Sequence, residues 1–162
     1  MIIIVMGVSG SGKTTIGTLL AKELGWSFYE GDELHPRSNV EKMKQGIPLT
    51  DKDREPWLDK IQKLIEALTR RHKPAVIACS ALKESYRKKI GADSQEVRFV
   101  YLKGDAALIA SRMRRRQGHF MPPDLLANQF TTLEEPEVAV FVDVSRRPQE
   151  IVNRIKKSLF LN

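Results

Sequence analysis

The chain has 162 residues, of which 41% are hydrophobic and 29% are charged. This is the composition of a folded globular domain, and it argues against a disordered, collagen-like or membrane-spanning chain. A chain of this length can bury roughly 70% of its unfolded surface, so its core needs no disulfide or metal. Lys and Arg number 27 against 20 acidic residues, a net charge of +7. That surplus favours an anionic partner: a nucleic acid, a membrane surface or a small phosphate.

Cys79 is the only cysteine. A single thiol excludes a disulfide within one chain and a zinc site built from cysteines. The simplest compartment for such a chain is a reducing cytosol, so we expect a cytoplasmic protein. The opening residues MIIIVMGV carry no basic leader or cleavage site, and we expect a buried strand there rather than a signal peptide.

Apolar segments of strand character alternate along the chain with segments in which apolar residues recur at helical spacing. The predicted strands are 1–5, 26–29, 75–79, 97–102 and 138–142. The predicted helices are 14–24, 39–45, a longer one around 57–68, 83–90, 105–116, 122–130 and one that begins near Pro148. Apolar strands separated by amphipathic helices predict an α/β fold, a parallel sheet with helices on both faces.

Residues 7–14 (GVSGSGKT) match the phosphate-binding pattern G-x-x-x-x-G-K-[ST] between a strand and a helix. Glycines let the backbone turn tightly with its N–H groups inward, and the helix N-terminus adds about half a positive charge. We expect Lys13 to reach the β- and γ-phosphates and Thr14 to offer a hydroxyl to Mg²⁺. The pattern predicts a nucleoside triphosphate, but GTPases, ATPases and small-molecule kinases share it. The predicted nucleotide-binding residues of the loop are Gly7, Val8, Ser9, Gly10, Ser11, Gly12, Lys13, Thr14 and Thr15.

Ligands of parallel sheets bind beyond the carboxyl ends of the strands, which directs attention to Asp32 and His35 after the second strand. A carboxylate there can accept a proton from an attacking hydroxyl, although Asp and Gly also favour an ordinary turn. Arg54 has the fork that holds a substrate carboxylate. Its position alone favours a solvated charged helix start with Asp51 or Asp53 as the N-cap.

Four of the five residues in 112–116 are arginine. Arg112 and Arg116 share one face of the predicted helix, and a glycine follows at position 118. Such a cluster is typical of a lid that closes over phosphates and supplies positive charge. The alternative is a surface helix whose cations stabilise its C-terminal dipole. His119, taken alone, is more typical of an ordinary loop histidine.

Several segments together resemble the gluconate kinases, over about residues 2–145. The most specific are GDELHP (31–36) and CSALK (79–83), because the phosphate loop is common to many families. The other matching positions are Asn39, Lys42, Met43, Gly46, Pro48, Leu49, 51–58, Tyr86, Arg87, 101–104, Arg112, Arg116, 118–120, Gln129, Phe130, Leu133, Glu134 and Pro136.

The resemblance implies transfer of phosphate from ATP to the 6-hydroxyl of D-gluconate. It also implies a three-layer P-loop kinase fold with a five-stranded parallel sheet. Residues 1–162 would form one domain, with a substrate-binding segment near 32–60 and a mobile lid near 112–125. The relatives are commonly homodimers, and neither nucleic acid nor membrane is expected as a partner.

The resemblance also assigns roles to residues. Asp32 becomes the catalytic base or hydroxyl binder, with Lys13 and Arg116 as the other catalytic residues. Arg54 becomes the partner of the substrate carboxylate. The remaining substrate-binding residues are His35, Lys83, Arg87 and His119, and Arg112 and Arg116 contact the nucleotide. Relatives often have Asp-Gly-Asp where this chain has Glu30-Gly-Asp32, which leaves open whether Glu30 contacts the metal.

Four alternatives remain at this point. Shikimate kinases share the fold but usually carry a Gly-Gly-Gly turn after the third strand, where this chain has SALK (80–83). A nucleoside monophosphate kinase would need a pocket for a second base. A nucleic-acid-binding protein would favour aromatic residues among the arginines, and none is found there. A signalling GTPase would carry an Asn-Lys-x-Asp sequence, which is absent.

Overall fold

The computed structural model describes residues 1–116 and 122–162. Five strands follow in chain order: β1 (Ile2–Met6), β2 (Ser27–Glu30), β3 (Ala75–Ala78), β4 (Val97–Lys103) and β5 (Val140–Asp143). The helices are α1 (Lys13–Leu24), α2 (Arg37–Lys44), α3 (Asp51–Arg70), α4 (Glu84–Ile90), α5 (Ala106–Arg115), α6 (Pro123–Thr132) and α7 (Pro148–Ser158). A 3₁₀ turn, Gly31–Leu34, follows β2. Every predicted strand and helix is therefore found, with its ends shifted by a few residues; α3 begins several residues earlier than its apolar pattern indicates.

All strands are parallel, in the spatial order β2-β3-β1-β4-β5. Ile4 at the centre of β1 lies opposite Ile77 of β3 on one side and Phe99 of β4 on the other. Neighbouring parallel strands need crossover connections, which the helices provide. The predicted α/β fold with a five-stranded parallel sheet is thus confirmed.

The two faces of the sheet are covered by different helices. On one face Ile4 packs in a cluster with Trp57 and Ile61 of α3. On the other face Val5 packs with Leu20 of α1 and with α7. Strands β1 and β3 are buried along their whole length, whereas the edge strand β5 is not: Phe141 is 41% exposed. An edge strand has a neighbour on one side only, so part of its surface remains open.

This strand order fixes where the functional segments meet. Because β3 lies between β1 and β2, the loop after β1 and the turn after β2 converge at the carboxyl end of β3. The backbone at Gly31 passes so close to β3 that a Cβ atom there would lie 2.3 Å from the Ala78 carbonyl oxygen. Only glycine fits at this contact.

None of the helices in the described ranges combines the length and apolar character needed to cross a bilayer.

Candidate active site

The loop between β1 and α1 has a backbone that depends on glycine. Gly10 and Gly12 have φ angles of 79° and 101°, in the left-handed region that other residues rarely adopt. A Cβ on Gly10 would also lie 2.5 Å from Cγ of Met113 in α5. The loop is therefore packed against α5, the helix that carries the arginine cluster.

The start of α1 offers unpaired donors to an anion. Gly12 is its N-cap and provides no side-chain acceptor. The first amide of this turn that is bonded to the protein is that of Ile16, which donates to the Gly12 carbonyl. Within the described chain, the N–H groups of Lys13, Thr14 and Thr15 have no acceptor. Free N–H groups at a helix N-terminus form a binding site for phosphate.

Lys13 lies beneath this loop. Its ammonium group donates to the carbonyl oxygens of Gly7 and Val8 at 3.1 and 3.0 Å, and its side chain is only 9% exposed. Burial lowers the pKa of Lys13, while the carboxylates of Asp32 and Glu30 act in the opposite direction. These carboxylates therefore lie within electrostatic range of the lysine, which joins the phosphate loop and the turn after β2 into one site.

Glu30, whose role the sequence leaves open, contacts the Thr14 hydroxyl directly. Thr14 donates a hydrogen bond to the Glu30 carboxylate, which also accepts from the Asp32 N–H at 3.4 Å. A hydroxyl and a carboxylate side by side at the mouth of a phosphate loop are the oxygen donors that Mg²⁺ prefers. Among the described residues there is no cluster of three or more His, Cys, Asp or Glu side chains that would hold a metal by itself.

Asp32 lies in the 3₁₀ turn and is exposed. Its carboxylate acts on the pKa values of both Lys13 and His35, so it lies within electrostatic range of both side chains. The turn is anchored by Trp57, whose indole Nε1–H donates to the Gly31 carbonyl at 2.8 Å. The turn is therefore fixed at Gly31, while the exposed Asp32 carboxylate remains accessible to a ligand.

Arg54 is not a solvated residue, so the interpretation that its position favours is wrong. The side chain is 7% exposed, and Nη1 donates to the Leu49 carbonyl at 2.9 Å and to the Tyr86 hydroxyl at 3.2 Å. Thr50 is the N-cap of α3, while Asp53 completes a capping box with it. With α3 beginning at this cap, Arg54 lies on the face of the helix that packs against the protein and not on the face towards water.

The surroundings of Arg54 include a second cation. Lys83 Nζ donates to the two Asp51 carboxylate oxygens at 2.9 and 3.2 Å. The Tyr86 hydroxyl also donates to Asp51. The hydrogen bond from Tyr86, and to a smaller extent those from Lys83, lower the pKa of Asp51. The structure therefore groups Arg54 and Lys83 around Tyr86, with one carboxylate to balance them.

Arg87, predicted as a pocket cation, directs its guanidinium to the backbone. Nη1 donates to the carbonyls of Ala81 and Leu82 at 2.7 and 3.1 Å, and Nη2 donates to that of Glu134 at 2.8 Å. The side chain is buried. These bonds fasten the loop after β3 to the segment after α6, so its position is that of a structural cation.

Arg112 and Arg116 lie beside the phosphate loop. They border a cavity of about 260 Å³ whose other walls are the loop, the start of α1 and the segment after β5. Arg116 lies close enough to Lys13 to lower its pKa. Residues that line the cavity are Gly10, Ser11, Gly12, Thr15, Ile16, Arg112, Met113, Arg116, Val144, Arg146, Pro148 and Ile151. His119 and the middle of the predicted lid lie outside the described residues.

The structure adds site residues to which the sequence assigns no role. Gln129 of α6 accepts a hydrogen bond from the Ser9 N–H at 2.7 Å and so ties α6 to the phosphate loop. Arg146 and Pro148 follow β5, and the rule about carboxyl ends of strands, applied to the fifth strand as well, would have found them. For Gln129 the only signal is its place in the family resemblance.

Comparison with known proteins identifies the family. The sequence model of the family described as shikimate kinase matches residues 9–159. The gluconokinase of Gluconobacter oxydans (strain 621H) is 45% identical over 94% of this chain and 88% of its own length. A solved gluconokinase from Sinorhizobium meliloti 1021 is also 45% identical, with a TM-score of 0.84 over 98% of this chain and 94% of that one.

A solved shikimate kinase from Aquifex aeolicus vf5 is 19% identical, with a TM-score of 0.71 over 99% of this chain and 96% of that one. Identity at this level shows the shared fold alone. The gluconokinases are far more similar in sequence and match almost the whole chain. The phosphate loop, the sheet order and this similarity lead to one conclusion: the chain is a kinase that belongs to the gluconokinases, within the shikimate kinase family.

Proposed function

We propose that the protein transfers the γ-phosphate of ATP to the 6-hydroxyl of D-gluconate and releases 6-phospho-D-gluconate and ADP. The observation that carries this proposal is the position of Asp32. Its accessible carboxylate lies within electrostatic range of Lys13 in the phosphate loop. An acceptor hydroxyl held at Asp32 would therefore face the terminal phosphate of a nucleotide in that loop.

Recognition of gluconate requires a cation for its carboxylate and hydrogen-bonding groups for its hydroxyls. Arg54 is buried and held by two hydrogen bonds, and both Arg54 and Lys83 lie near the ring of Tyr86. We assign the substrate carboxylate to Arg54, because a fixed guanidinium fork binds carboxylates well. Lys83 and His35 would complete the pocket within the segment 32–60 and the loop after β3.

Phosphoryl transfer depends on positioning and on stabilisation of charge more than on covalent catalysis. Asp32 would orient the 6-hydroxyl and accept its proton as the oxygen attacks phosphorus. Lys13, Arg112 and Arg116 would stabilise the negative charge on the transferred phosphoryl group and the leaving ADP. The free N–H groups at the start of α1 would hold the phosphates in line.

The nucleotide base has a matching place in this arrangement. The cavity of about 260 Å³ beside the phosphate loop lies between Arg112 and Pro148. A flat aromatic base can stack on a guanidinium face, and an apolar proline ring suits its other face. We therefore place the adenine of ATP in this cavity.

Magnesium belongs to the proposed reaction as the ion that neutralises the phosphate oxygens of ATP. The Thr14 hydroxyl and the Glu30 carboxylate are the side chains that would hold it, directly or through its water ligands. Few protein ligands are needed, because Mg²⁺ in kinases usually keeps several waters and binds phosphate oxygens.

A coupled assay of ADP release tests the acceptor. Gluconate, shikimate and nucleoside monophosphates would be compared at equal concentrations with MgATP. We expect turnover with gluconate far above the ATPase background. Turnover with shikimate, the second candidate on account of the family model, would contradict the assignment of Arg54 and Asp32 to a sugar acid.

We also propose that the protein is cytoplasmic and forms a homodimer. Each subunit would be one kinase domain, residues 1–162. The buried free thiol of Cys79, whose pKa burial raises to about 12, suits a reducing compartment. The exposed apolar side chains of Phe141 and Val138, in and just before the edge strand β5, supply a surface for a second copy. Light scattering of the purified protein would measure the mass, and a monomer at micromolar concentration would contradict the dimer.

A further inference from the structure

Asn39 is a buried amide that makes two hydrogen bonds with the same nitrogen. It lies in α2 with a side chain 2% exposed. Nδ2 lies 2.8 Å from the backbone carbonyl oxygen of Asp53 and 3.2 Å from Nδ1 of His35. A carbonyl oxygen can only accept, so the NH₂ end of the amide must face Asp53. The second hydrogen of that NH₂ group then faces Nδ1 of His35.

This arrangement determines the tautomer of His35. A ring nitrogen that accepts a hydrogen bond carries no proton, so the proton of a neutral His35 lies on Nε2. The ring cannot easily turn over, because it stacks on Trp57 with 4.2 Å between centroids and 14° between planes. Trp57 is itself held by its hydrogen bond to the Gly31 carbonyl.

The electrostatic surroundings favour the neutral ring. Burial lowers the pKa of His35 to about 4, with Asp32 of the 3₁₀ turn acting to raise it and Arg54 of α3 acting to lower it further. Near neutral pH the imidazole is thus uncharged. Among the described residues Nε2 has no hydrogen-bond partner, and the side chain is only half-buried, so this nitrogen is available to a ligand.

We propose that Asn39 is a positioning residue that holds His35 in the Nε2–H tautomer, so that His35 offers the bound sugar acid a hydrogen-bond donor. A His35 in this tautomer cannot accept the proton of the substrate through Nε2, which is consistent with Asp32 as the proposed base. A substrate oxygen at this place must accept a hydrogen bond, which a hydroxyl does and a protonated amine does not. This part rests on the proposed function; the tautomer itself does not.

Nitrogen NMR of the intact protein labelled with ¹⁵N-histidine tests the tautomer without any substrate. The His35 signals are assigned by their loss in His35→Gln. We expect Nδ1 at the shift of an unprotonated nitrogen and Nε2 at that of a protonated one from pH 6 to 8. The opposite pattern in the wild-type protein would overturn the proposal, and this result needs no variant to fold.

Asn39→Asp tests the cause. A carboxylate at position 39 can only accept, so it should shift the proton of His35 to Nδ1 and raise the pKa of the ring. Asn153→Asp in α7 adds the same charge at an exposed site and should leave the His35 signals unchanged. Unchanged His35 signals in Asn39→Asp would contradict the role of Asn39.

Kinetics then connects the tautomer to the reaction. His35→Gln keeps an N–H donor and His35→Ala does not, so we expect kcat/KM for gluconate to fall about tenfold more in the alanine variant, while the KM for ATP changes little. Equal losses in the two variants would overturn the donor role. If the wild-type NMR pattern is as expected but gluconate is not phosphorylated, the proposed function fails and the tautomer assignment stands.

Discussion

Arg54 lies over the ring of Tyr86, with its guanidinium carbon 5.5 Å from the ring centroid, and donates to the Tyr86 hydroxyl. That hydroxyl in turn donates to Asp51. Removal of the hydroxyl in Tyr86→Phe leaves the ring but releases one contact of the guanidinium. A hydrogen bond to a charged group contributes about 1.5–3 kcal/mol. We therefore expect the KM for gluconate to rise about tenfold, with the KM for ATP unchanged.

Tyr101→Phe is a matched control for this variant. Tyr101 is also a buried tyrosine, but it lies in β4, with its ring against Phe141 and its hydroxyl near Glu135. Steady-state kinetics with both substrates should be near wild-type in this control. An unchanged KM for gluconate in Tyr86→Phe would show that Tyr86 does not position Arg54.

Asp32→Asn keeps the shape of the side chain and removes its ability to accept a proton. We expect kcat to fall by roughly 10²–10⁴, with little change in the affinity for ATP. Glu33→Gln removes a neighbouring exposed carboxylate and serves as the control for charge. Turnover of Asp32→Asn near that of the control would exclude Asp32 as the base; binding of a fluorescent ATP analogue checks that the site is intact.

Gln129→Leu removes the acceptor of the Ser9 N–H and leaves that group of the phosphate loop unpaired. Since one hydrogen bond contributes about 1 kcal/mol, the KM for ATP should rise about fivefold while the KM for gluconate changes less. The control is Thr131→Ala on the same helix, which removes an exposed hydroxyl bonded to the Ala127 carbonyl. Equal ATP affinities in the two variants would show that the contact does not support the loop.

His35 should make the stability of the fold depend on pH. The pKa of His35 is about 4 in the folded protein, below the ordinary value of 6.5, so the unfolded chain binds the proton more readily. The contribution of His35 is complete above about pH 6.5 and is lost as the pH falls towards 4. Between pH 7 and pH 5 the wild type should lose about 1–2 kcal/mol relative to His35→Gln in urea unfolding.

His72 provides the comparison for this pH effect. It lies in the turn just after α3 and is exposed. His72→Gln is the control for replacing a histidine by glutamine at an exposed position. A His35→Gln profile parallel to that of the wild type would mean that the folded protein does not disfavour the charged form of His35.

Much of the fold follows from patterns that act locally. The apolar segments, the helical stripes and the GVSGSGKT loop identify every strand and helix, because side-chain period and glycine content depend on the nearby chain alone. The start of α3 is harder to predict, because Thr50 and Asp53 form a capping box several residues before the first apolar position of the helix. Such a cap is visible as a pattern only once the start of the helix is known.

The site was less predictable than the fold. Arg54 and Arg87 are both arginines near a helix start, yet one is grouped with Tyr86 and Lys83 and the other holds three backbone carbonyls. That difference depends on contacts between segments far apart in the chain, which residue type and spacing do not encode. The hydrogen bond between Ser9 and Gln129, 120 residues apart, is of the same kind.

The close approach of Gly31 to Ala78 has a consequence for redesign. The main chain at Gly31 rests directly on the main chain at Ala78, with no side chain between them. This contact therefore fixes the distance between the neighbouring Asp32 carboxylate and the phosphate loop. Attempts to make the enzyme accept shorter or longer polyol acids should therefore leave this contact untouched. In the binding mode proposed above, the adjustable distance would be at the other end of the sugar acid, because Arg54 and Lys83 are carried by separate segments.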